Sequence, residues 1–326
     1  MAALPGQKID LLELITGPAD ELARRLVANP EIRRRLARER FGALIHYRLK
    51  AAGLTESLPG KYRVELRQSW RQVLRRQLIQ EVSAVSLTRI AEEYQPVILK
   101  GLHFSRLLYP PGTRSSVDLD VFCPRRLYGG LAERLLDEGW RPREFGAYAR
   151  RLYRTWVHLS WVKDDCCLEV HFDLVPPGRY RGYDTIWENR LPLELECGRV
   201  YVPEPEDAVL FALAHLSKEH LFESHLLWVL DLFRLAPLVD WNEVERRAEG
   251  CGLGRLYRFA LAYLRRYDPL RRRLPPGTAL PLEGWEWLLG DGGLVRFRAR
   301  LLGLLLCQAP SRTLSYSLRR ILWPLL

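Results

Sequence analysis

The sequence predicts an α+β fold in which a small mixed β-sheet is flanked by N-terminal helices and a C-terminal helical bundle. Apolar residues recur at helical spacing through residues 60–93. Short strand-like apolar segments bounded by turn residues follow between residues 95 and 202. The pattern becomes helical again from Pro205. The predicted regions are an N-terminal helical region (1–93), a β-containing core (94–203) and a C-terminal helical domain (204–326).

The N-terminal region reads as helices over residues 8–55 and 60–93. In the second helix, an apolar face is expected to include Val64, Leu78 and Val82. Arginines four residues apart form a basic ridge beside that face. This ridge, like the basic segment 21–50, is either a polyanion-binding surface or a solvated helix face with local glutamate partners, and we favour the solvated face. The ridge consists of Arg63, Arg67, Arg71 and Arg75.

The elements of the predicted core alternate in type. Strands are expected at 95–99, 117–123, 150–162, 167–174 and 199–202, with helices at 102–108 and 126–138 and an irregular stretch up to 196. Acidic residues and Pro205 begin the first C-terminal helix, which is typical of helix starts. The C-terminal helices are expected at 206–221, 224–237, 241–250 and 254–267, followed by a helical tail at 280–326.

Composition favours a polyanionic partner and a cytoplasmic location. The chain has 50 Lys and Arg against 39 Asp and Glu, a net charge of +11. Its six cysteines form no C-x-x-C pair, so neither a zinc site nor a disulfide framework is predicted. The N-terminus shows no signal-peptide pattern, and the longest apolar stretch is too short to span a bilayer. No integral membrane association is therefore expected.

Asp118 and Asp120 are the strongest candidates for chemistry. Residues i and i+2 of a strand face the same side, so the two carboxylates lie together. Apolar neighbours predict a mostly buried strand, where paired like charges need a cation between them. Mg²⁺ prefers oxygen ligands and leaves room for substrate phosphates, and Mn²⁺ is the alternative. The pattern predicts a metal site with Asp118 and Asp120 as catalytic ligands.

A third metal-binding carboxylate is expected on a neighbouring strand. Glu169 is the preferred candidate, and Asp173 is the alternative, because both share one face of their strand with His171. His171 either contacts the nucleotide or is a hydrogen-bonded histidine beside the site. Upstream, Lys100 supplies positive charge and Gly101 allows close approach of a phosphate to a helix N-terminus. Arg114 is also expected to bind phosphate.

These motifs resemble a known family. They look like those of the bacterial "uncharacterised nucleotidyltransferase" family, a part of the DNA polymerase beta-like superfamily. The matching segments are Leu99-Lys100-Gly101, the Tyr109-Pro110 loop, Arg114 to Asp120, and Glu169-Val170-His171-Phe172. Farther on, Pro205-Glu206-Asp207, His215, Lys218 and Trp228 to Asp231 match the family's helical motifs. Glu169 stands where that superfamily more commonly has Asp. The resemblance implies a nucleotidyltransferase core at 94–203.

The resemblance also implies an activity. A nucleoside monophosphate would move from an NTP, such as ATP, to an acceptor, with release of pyrophosphate and two-metal catalysis. The acceptor would be RNA (for example tRNA), a protein or a small molecule, and the basic helices favour RNA or another polyanion. His215 and Lys218 would contact the nucleotide, whereas Asp231 is expected to be a structural hydrogen-bond acceptor. Two alternatives are a non-catalytic nucleotide- or RNA-binding module and a peripheral membrane protein that uses the tail at 293–326.

Overall fold

The N-terminal part of the chain is helical, as predicted. The computed structural model describes residues 5–143, 158–173, 184–219, 226–265, 267 and 274 of the protein. Asn29 begins the third helix, because its side chain accepts hydrogen bonds from the backbone of Glu31 and Ile32 (2.9 and 3.2 Å). The helices of this part are α1 Pro5–Thr16, α2 Ala19–Ala28, α3 Pro30–Arg38, α4 Gly42–Ala51 and α5 Gly60–Ile90, with a 3₁₀ helix at Thr55–Ser57.

The buried face of α5 differs from the predicted one. Val64, Leu78 and Val82 are 55%, 51% and 62% exposed, so their assignment to an apolar core face is wrong. Helical spacing identifies a helix, but the neighbouring elements decide which stripe is buried. Here α4 packs on the N-terminal half of α5, and the sheet packs on its C-terminal half. The buried apolar residues of α5 are Tyr62, Leu66, Ala84, Val85 and Leu87.

A mixed sheet of seven strands lies in the middle of the described chain. The strands are β1 Val97–Ile98, β2 Leu119–Phe122, β3 Arg141–Pro142, β4 His158–Lys163, β5 Cys166–His171, β6 Leu191–Leu195 and β7 Gly198–Val202. Their order in the sheet is β3-β4-β5-β2-β1-β7-β6. β2 runs parallel to β5 and antiparallel to β1, and β4 is antiparallel to β5. The predicted mixed sheet is thereby confirmed.

The sheet contains two strands that were not predicted, the two-residue β3 and the longer β6. β6 was not predicted, because its largely exposed residues and its proline weaken the strand pattern. Of the strand expected at 150–162, residues 150–157 lie outside the described residues. The remaining helices of the core are α6 Lys100–Leu108, α7 Tyr128–Asp137 and the single-turn α8 Thr185–Glu188, with a 3₁₀ helix at Arg125–Leu127.

Within the described residues, four helices follow the sheet, close to the predicted positions. They are α9 Pro205–Glu219, α10 Leu226–Leu235, α11 Trp241–Cys251 and α12 Gly254–Arg265. Arg247 of α11 holds the start of α9, because its guanidinium pairs with Glu204 and Asp207 (both 2.7 Å). Gly252, with a φ of 85°, ends α11 in a left-handed conformation. The expected tail at 280–326 lies outside the described residues.

The two faces of the sheet belong to two apolar clusters. Ile98, Leu119 and Val121 pack in the cluster that contains α7 and the C-terminal half of α5. Val97 and Phe122 pack on the opposite side, in a cluster that joins the N-terminal and C-terminal helices. Because side chains alternate along a strand, the residue between Leu119 and Val121 faces the second side. That residue is Asp120.

Across the described ranges, no helix combines the length and the apolar character that a transmembrane span requires.

Candidate active site

The register between β2 and β5 brings the predicted acids together. Asp120 is the direct partner of Glu169 in the parallel ladder, so their side chains leave the same face of the sheet on neighbouring strands. Asp118 immediately precedes β2, which is shorter at this end than predicted, and its side chain is half-buried. Asp118, Asp120 and Glu169 all line one cavity of about 380 Å³.

Asp120 is the buried centre of the cluster. Its side chain is 3% exposed, and its Oδ1 lies 2.7 Å from the Lys100 Nζ and 3.0 Å from the His171 Nε2. Burial alone would raise the pKa of Asp120, but the charge of Lys100 and the hydrogen bond from His171 outweigh it and lower that pKa. Asp120 is therefore an ionised carboxylate that organises two basic side chains.

Asp118 has the opposite electrostatic character. Burial raises the pKa of Asp118, and the nearby carboxylates of Glu169 and Asp120 raise it further, against smaller effects of Cys167 and Lys100. Within the described ranges, no lysine or arginine forms an ion pair with Asp118. The site therefore concentrates more negative charge than Lys100 balances, which is the condition under which a divalent cation is favoured.

Two histidines complete the acidic cluster. The His171 Nε2 lies 3.5 Å from Glu169, and the His158 Nε2 lies 3.9 Å from it. Burial would raise the pKa of Glu169, but the hydrogen bond from His171 lowers it overall. Ligand atoms of His158, Glu169 and His171 lie within 4.8 Å of one another, close enough to share a metal ion.

Gly101 lies where two segments of the chain pack closely together. It is the second residue of α6, and a Cβ added there would lie 2.3 Å from the Ser116 Oγ and 3.3 Å from the Asp118 backbone oxygen. The same hydroxyl donates a hydrogen bond to that backbone oxygen (3.0 Å). Gly101 thus allows the loop that carries Asp118 to rest against the start of α6, in addition to its predicted approach to phosphate.

Arg114 is a buried residue of the cavity lining. Its Nε and Nη2 lie 2.9 and 2.6 Å from the two carboxylate oxygens of Asp231, and its Nη1 donates to the Gly101 carbonyl (3.1 Å). Asp231 also accepts a hydrogen bond from the Tyr109 hydroxyl (2.8 Å). The Tyr-Pro loop and Arg114 therefore form one buried network with α10, which is far from them in the sequence.

The cavity unites most of the predicted site. Lys100, Gly101, Arg114 and His215 line it together with the three acids, and His171 lies buried behind Asp120. The side chain of Lys218 lies outside the described residues, although its backbone belongs to α9. Glu169 is therefore the third acid at the cavity, whereas the alternative Asp173 pairs with Arg125.

Two basic residues of the cavity lining, Arg40 and His158, were not predicted. Arg40 follows α3 in a left-handed conformation (φ 64°), which is uncommon for a residue other than glycine. His158 begins β4 and is the ladder partner of His171. Arg40 was one of several arginines in a dense basic segment, and only the three-dimensional arrangement distinguishes it. His158 could be found only from the pairing of β4 with β5.

The comparison with protein families is consistent with the predicted resemblance. The model of the family described as "Uncharacterised nucleotidyltransferase" matches residues 29–267, which include every described residue of the cavity. No curated protein matches the chain.

Proposed function

Because the chain belongs to the uncharacterised nucleotidyltransferase family, we propose that it transfers a nucleoside monophosphate from an NTP to an acceptor and releases pyrophosphate. Membership supports nucleotidyl transfer in general. The metal dependence, the nucleotide and the acceptor are parts of the proposal. The observation that carries it is the direct pairing of Asp120 with Glu169 in the sheet, with Asp118 at the end of the same strand.

The donors at the site fit a divalent metal. Three carboxylates face one cavity, and the raised pKa of Asp118 reflects burial together with its two acidic neighbours. Carboxylate oxygens suit Mg²⁺ or Mn²⁺, and we assign Asp118, Asp120 and Glu169 as the ligands. Such a metal would supply electrostatic stabilisation to the triphosphate and to the leaving pyrophosphate. His171 holds the Asp120 carboxylate in place through its hydrogen bond (3.0 Å).

The remaining side chains suit the nucleotide. His215 and Trp228 line the cavity with their rings edge to face, 5.4 Å between centroids, and offer an aromatic wall to a base or a sugar. Lys100 and the backbone at the start of α6 face the same space and favour phosphates. We place the triphosphate between α6 and the acids. Lys218 stays in the proposal as a nucleotide-binding residue on the strength of the family motif alone.

Arg40 is the best placed additional cation for the triphosphate. Of the three cationic side chains that line the cavity, Lys100 pairs with Asp120 and Arg114 pairs with Asp231. The exposed Arg40 has no carboxylate partner in the described part of the chain. A left-handed backbone costs a non-glycine residue about 1–2 kcal/mol, and such strain is concentrated at functional sites. We infer that Arg40 binds phosphate oxygens of the nucleotide.

Variants of Arg40 are expected to separate binding from stability. Arg40→Gln should raise the Kd for the NTP about tenfold, the size of one charge-assisted hydrogen bond. Arg40→Gly should weaken binding equally but leave the Tm unchanged or raised, because glycine adopts this φ without strain. Calorimetric titration with a non-hydrolysable NTP and thermal unfolding measure the two effects. Unchanged nucleotide affinity in both variants would show that Arg40 does not contact the nucleotide.

A substitution at Gly101 tests the close packing of the catalytic loop. Gly101→Ala should displace Ser116, break its hydrogen bond to the Asp118 backbone and lower the rate of transfer about tenfold, with a loss of stability of about 1–2 kcal/mol. Adding Ser116→Ala should recover part of the stability, since the nearest obstructing atom is gone. The matched control is Gly129→Ala in α7, where a Cβ meets open space. If Gly101→Ala behaves like Gly129→Ala in rate and Tm, the packing argument is wrong.

The central experiment is transfer of label from NTPs radiolabelled at the α-phosphate. Each NTP is incubated with the protein and a cell extract, in Mg²⁺, in Mn²⁺ or with excess EDTA, and the products are separated into RNA, protein and small molecules. The proposal expects metal-dependent label in one fraction with one preferred NTP. Absence of label under every condition, combined with a nucleotide-dependent rise in Tm, would instead identify a non-catalytic binding module.

A further inference from the structure

A second cavity, which is lined by basic side chains, lies between α4 and α5 in the N-terminal part of the chain. It has a volume of about 390 Å³, and its lining includes Lys50 from α4 and Arg67 and Arg71 from successive turns of α5. None of these three cations forms an ion pair within the ranges that the structure describes. The acid in the lining, Glu56, is paired with Arg63. The cavity is therefore positively charged and suited to an anion.

An aromatic floor adjoins these cations. The Lys50 Nζ lies 5.8 Å from the centre of the Trp70 ring, and the His46 ring lies 5.7 Å from the same ring. His46 is 6% exposed, and its Nδ1 makes no hydrogen bond to the described chain. Burial, followed by Lys50 and Arg67, lowers the pKa of His46. Positive charge beside a flat ring is the combination that binds the backbone and bases of single-stranded nucleic acids.

The position of the cavity connects it to the candidate active site. Arg76, five residues after Arg71 on α5 and about 7.5 Å farther along the helix axis, donates a hydrogen bond to the Ser116 carbonyl (3.4 Å). Ser116 lines the acidic cavity beside Asp118. Trp70 packs against Gly112, in the loop that leads to Arg114. One extended single strand of nucleic acid can therefore reach along α5 from the basic cavity to the acidic cavity around Asp118.

We propose that the cavity between α4 and α5 binds a backbone phosphate of a single-stranded polynucleotide whose end is the acceptor at Asp118 and Asp120. Lys50, Arg67 and Arg71 bind the phosphate, and Trp70 supports an adjacent base. This proposal rests on the proposed function for the acceptor role, but the binding itself requires neither metal nor NTP. The interpretation of this basic ridge as a solvated helix face then applies only to its two ends. These are Arg63, which pairs with Glu56, and Arg75, which pairs with Asp165.

Binding is tested with fluorescently labelled single-stranded RNA and DNA oligonucleotides in EDTA, without NTP, at several salt concentrations. The variant Lys50→Gln/Arg67→Gln/Arg71→Gln should raise the Kd about tenfold or more and reduce the slope of log Kd against log salt by about 0.7, the value for one single-strand phosphate contact. The matched control removes three exposed arginines elsewhere, in Arg24→Gln/Arg34→Gln/Arg246→Gln.

The outcomes separate the two proposals. Loss of binding in the cavity variant but not in the control supports the cavity, whether or not transfer of label is ever observed. An equal loss in both triple variants would show a diffuse effect of net charge and overturn the proposal. Failure of the wild-type protein to bind either oligonucleotide would also overturn it and would leave nucleotidyl transfer to a protein or small-molecule acceptor intact. A difference between the RNA and DNA arms identifies which polynucleotide is bound.

Discussion

Replacing Asp120 with asparagine is expected to lower the rate of nucleotidyl transfer by roughly a thousandfold or more. The variant removes the charge on which Lys100 and His171 converge and removes one proposed metal ligand. Loss of several kcal/mol of stabilisation of the transferring phosphates corresponds to about three powers of ten in rate. The measurement is the single-turnover rate of label transfer at saturating Mg²⁺ and NTP, with the Tm recorded in parallel to show that the protein is folded.

Glu169→Gln and Asp173→Asn form a matched pair for this experiment. Glu169 faces the cavity and pairs in register with Asp120, so Glu169→Gln should lose most of the activity. Asp173 follows the same strand but pairs with Arg125, so Asp173→Asn should transfer label at close to the wild-type rate. The reverse result, with Asp173 essential and Glu169 dispensable, would show that the third carboxylate has been assigned wrongly.

Replacing Asp231 with alanine should destabilise the protein by about 3–5 kcal/mol and lower the Tm by on the order of 10 °C. The substitution leaves the guanidinium of Arg114 buried without its counter-charge and takes the acceptor from the Tyr109 hydroxyl. An uncompensated buried charge costs far more than the loss of an exposed ion pair. Urea unfolding followed by circular dichroism gives the free energy directly.

Two further variants determine whether the lost charge of Asp231 causes the loss of stability. Asp231→Asn keeps the shape of the side chain and one acceptor but not the charge, so it should be nearly as destabilising as Asp231→Ala. Arg246→Ala breaks the pair with Glu243, in which Arg246 is 73% exposed, and should change the free energy of unfolding by less than about 1 kcal/mol. If Asp231→Ala is as mild as Arg246→Ala, the network of Arg114, Asp231 and Tyr109 contributes little to the fold.

The acidic cluster was predictable because it depends on short-range rules. Alternation along a strand puts Asp118 and Asp120 on one side, and the same rule selected Glu169 and His171 together. The choice between Glu169 and Asp173 depended on the register of two strands about fifty residues apart and on Arg125. Neither the register nor the contact with Arg125 can be read from the local sequence pattern, because long-range packing sets the register.

The surroundings of the cluster were predicted less well for the same reason. Arg114 was expected to bind phosphate directly, and its pairing with Asp231 depends on a contact across more than a hundred residues; phosphate contact by Arg114 stays a prediction. Arg40 was hidden among similar arginines, and its left-handed backbone is not encoded by any preference of arginine. Long amphipathic helices were found reliably, although the buried stripe of α5 was not.

If the site binds metal and nucleotide as proposed, the ion pair between Lys100 and Asp120 would make the metal and the triphosphate cooperative ligands. A cation that approaches Asp120 must compete with the Lys100 ammonium group, 2.7 Å from the same oxygen. A triphosphate offers that ammonium group a new acceptor, so its arrival makes the carboxylate available. Each proposed ligand would therefore raise the affinity for the other by the same factor, as linkage requires. While Lys100 pairs with Asp120, the site would bind metal mainly as a complex with the nucleotide. Free metal ions would then bind only weakly when no nucleotide is present.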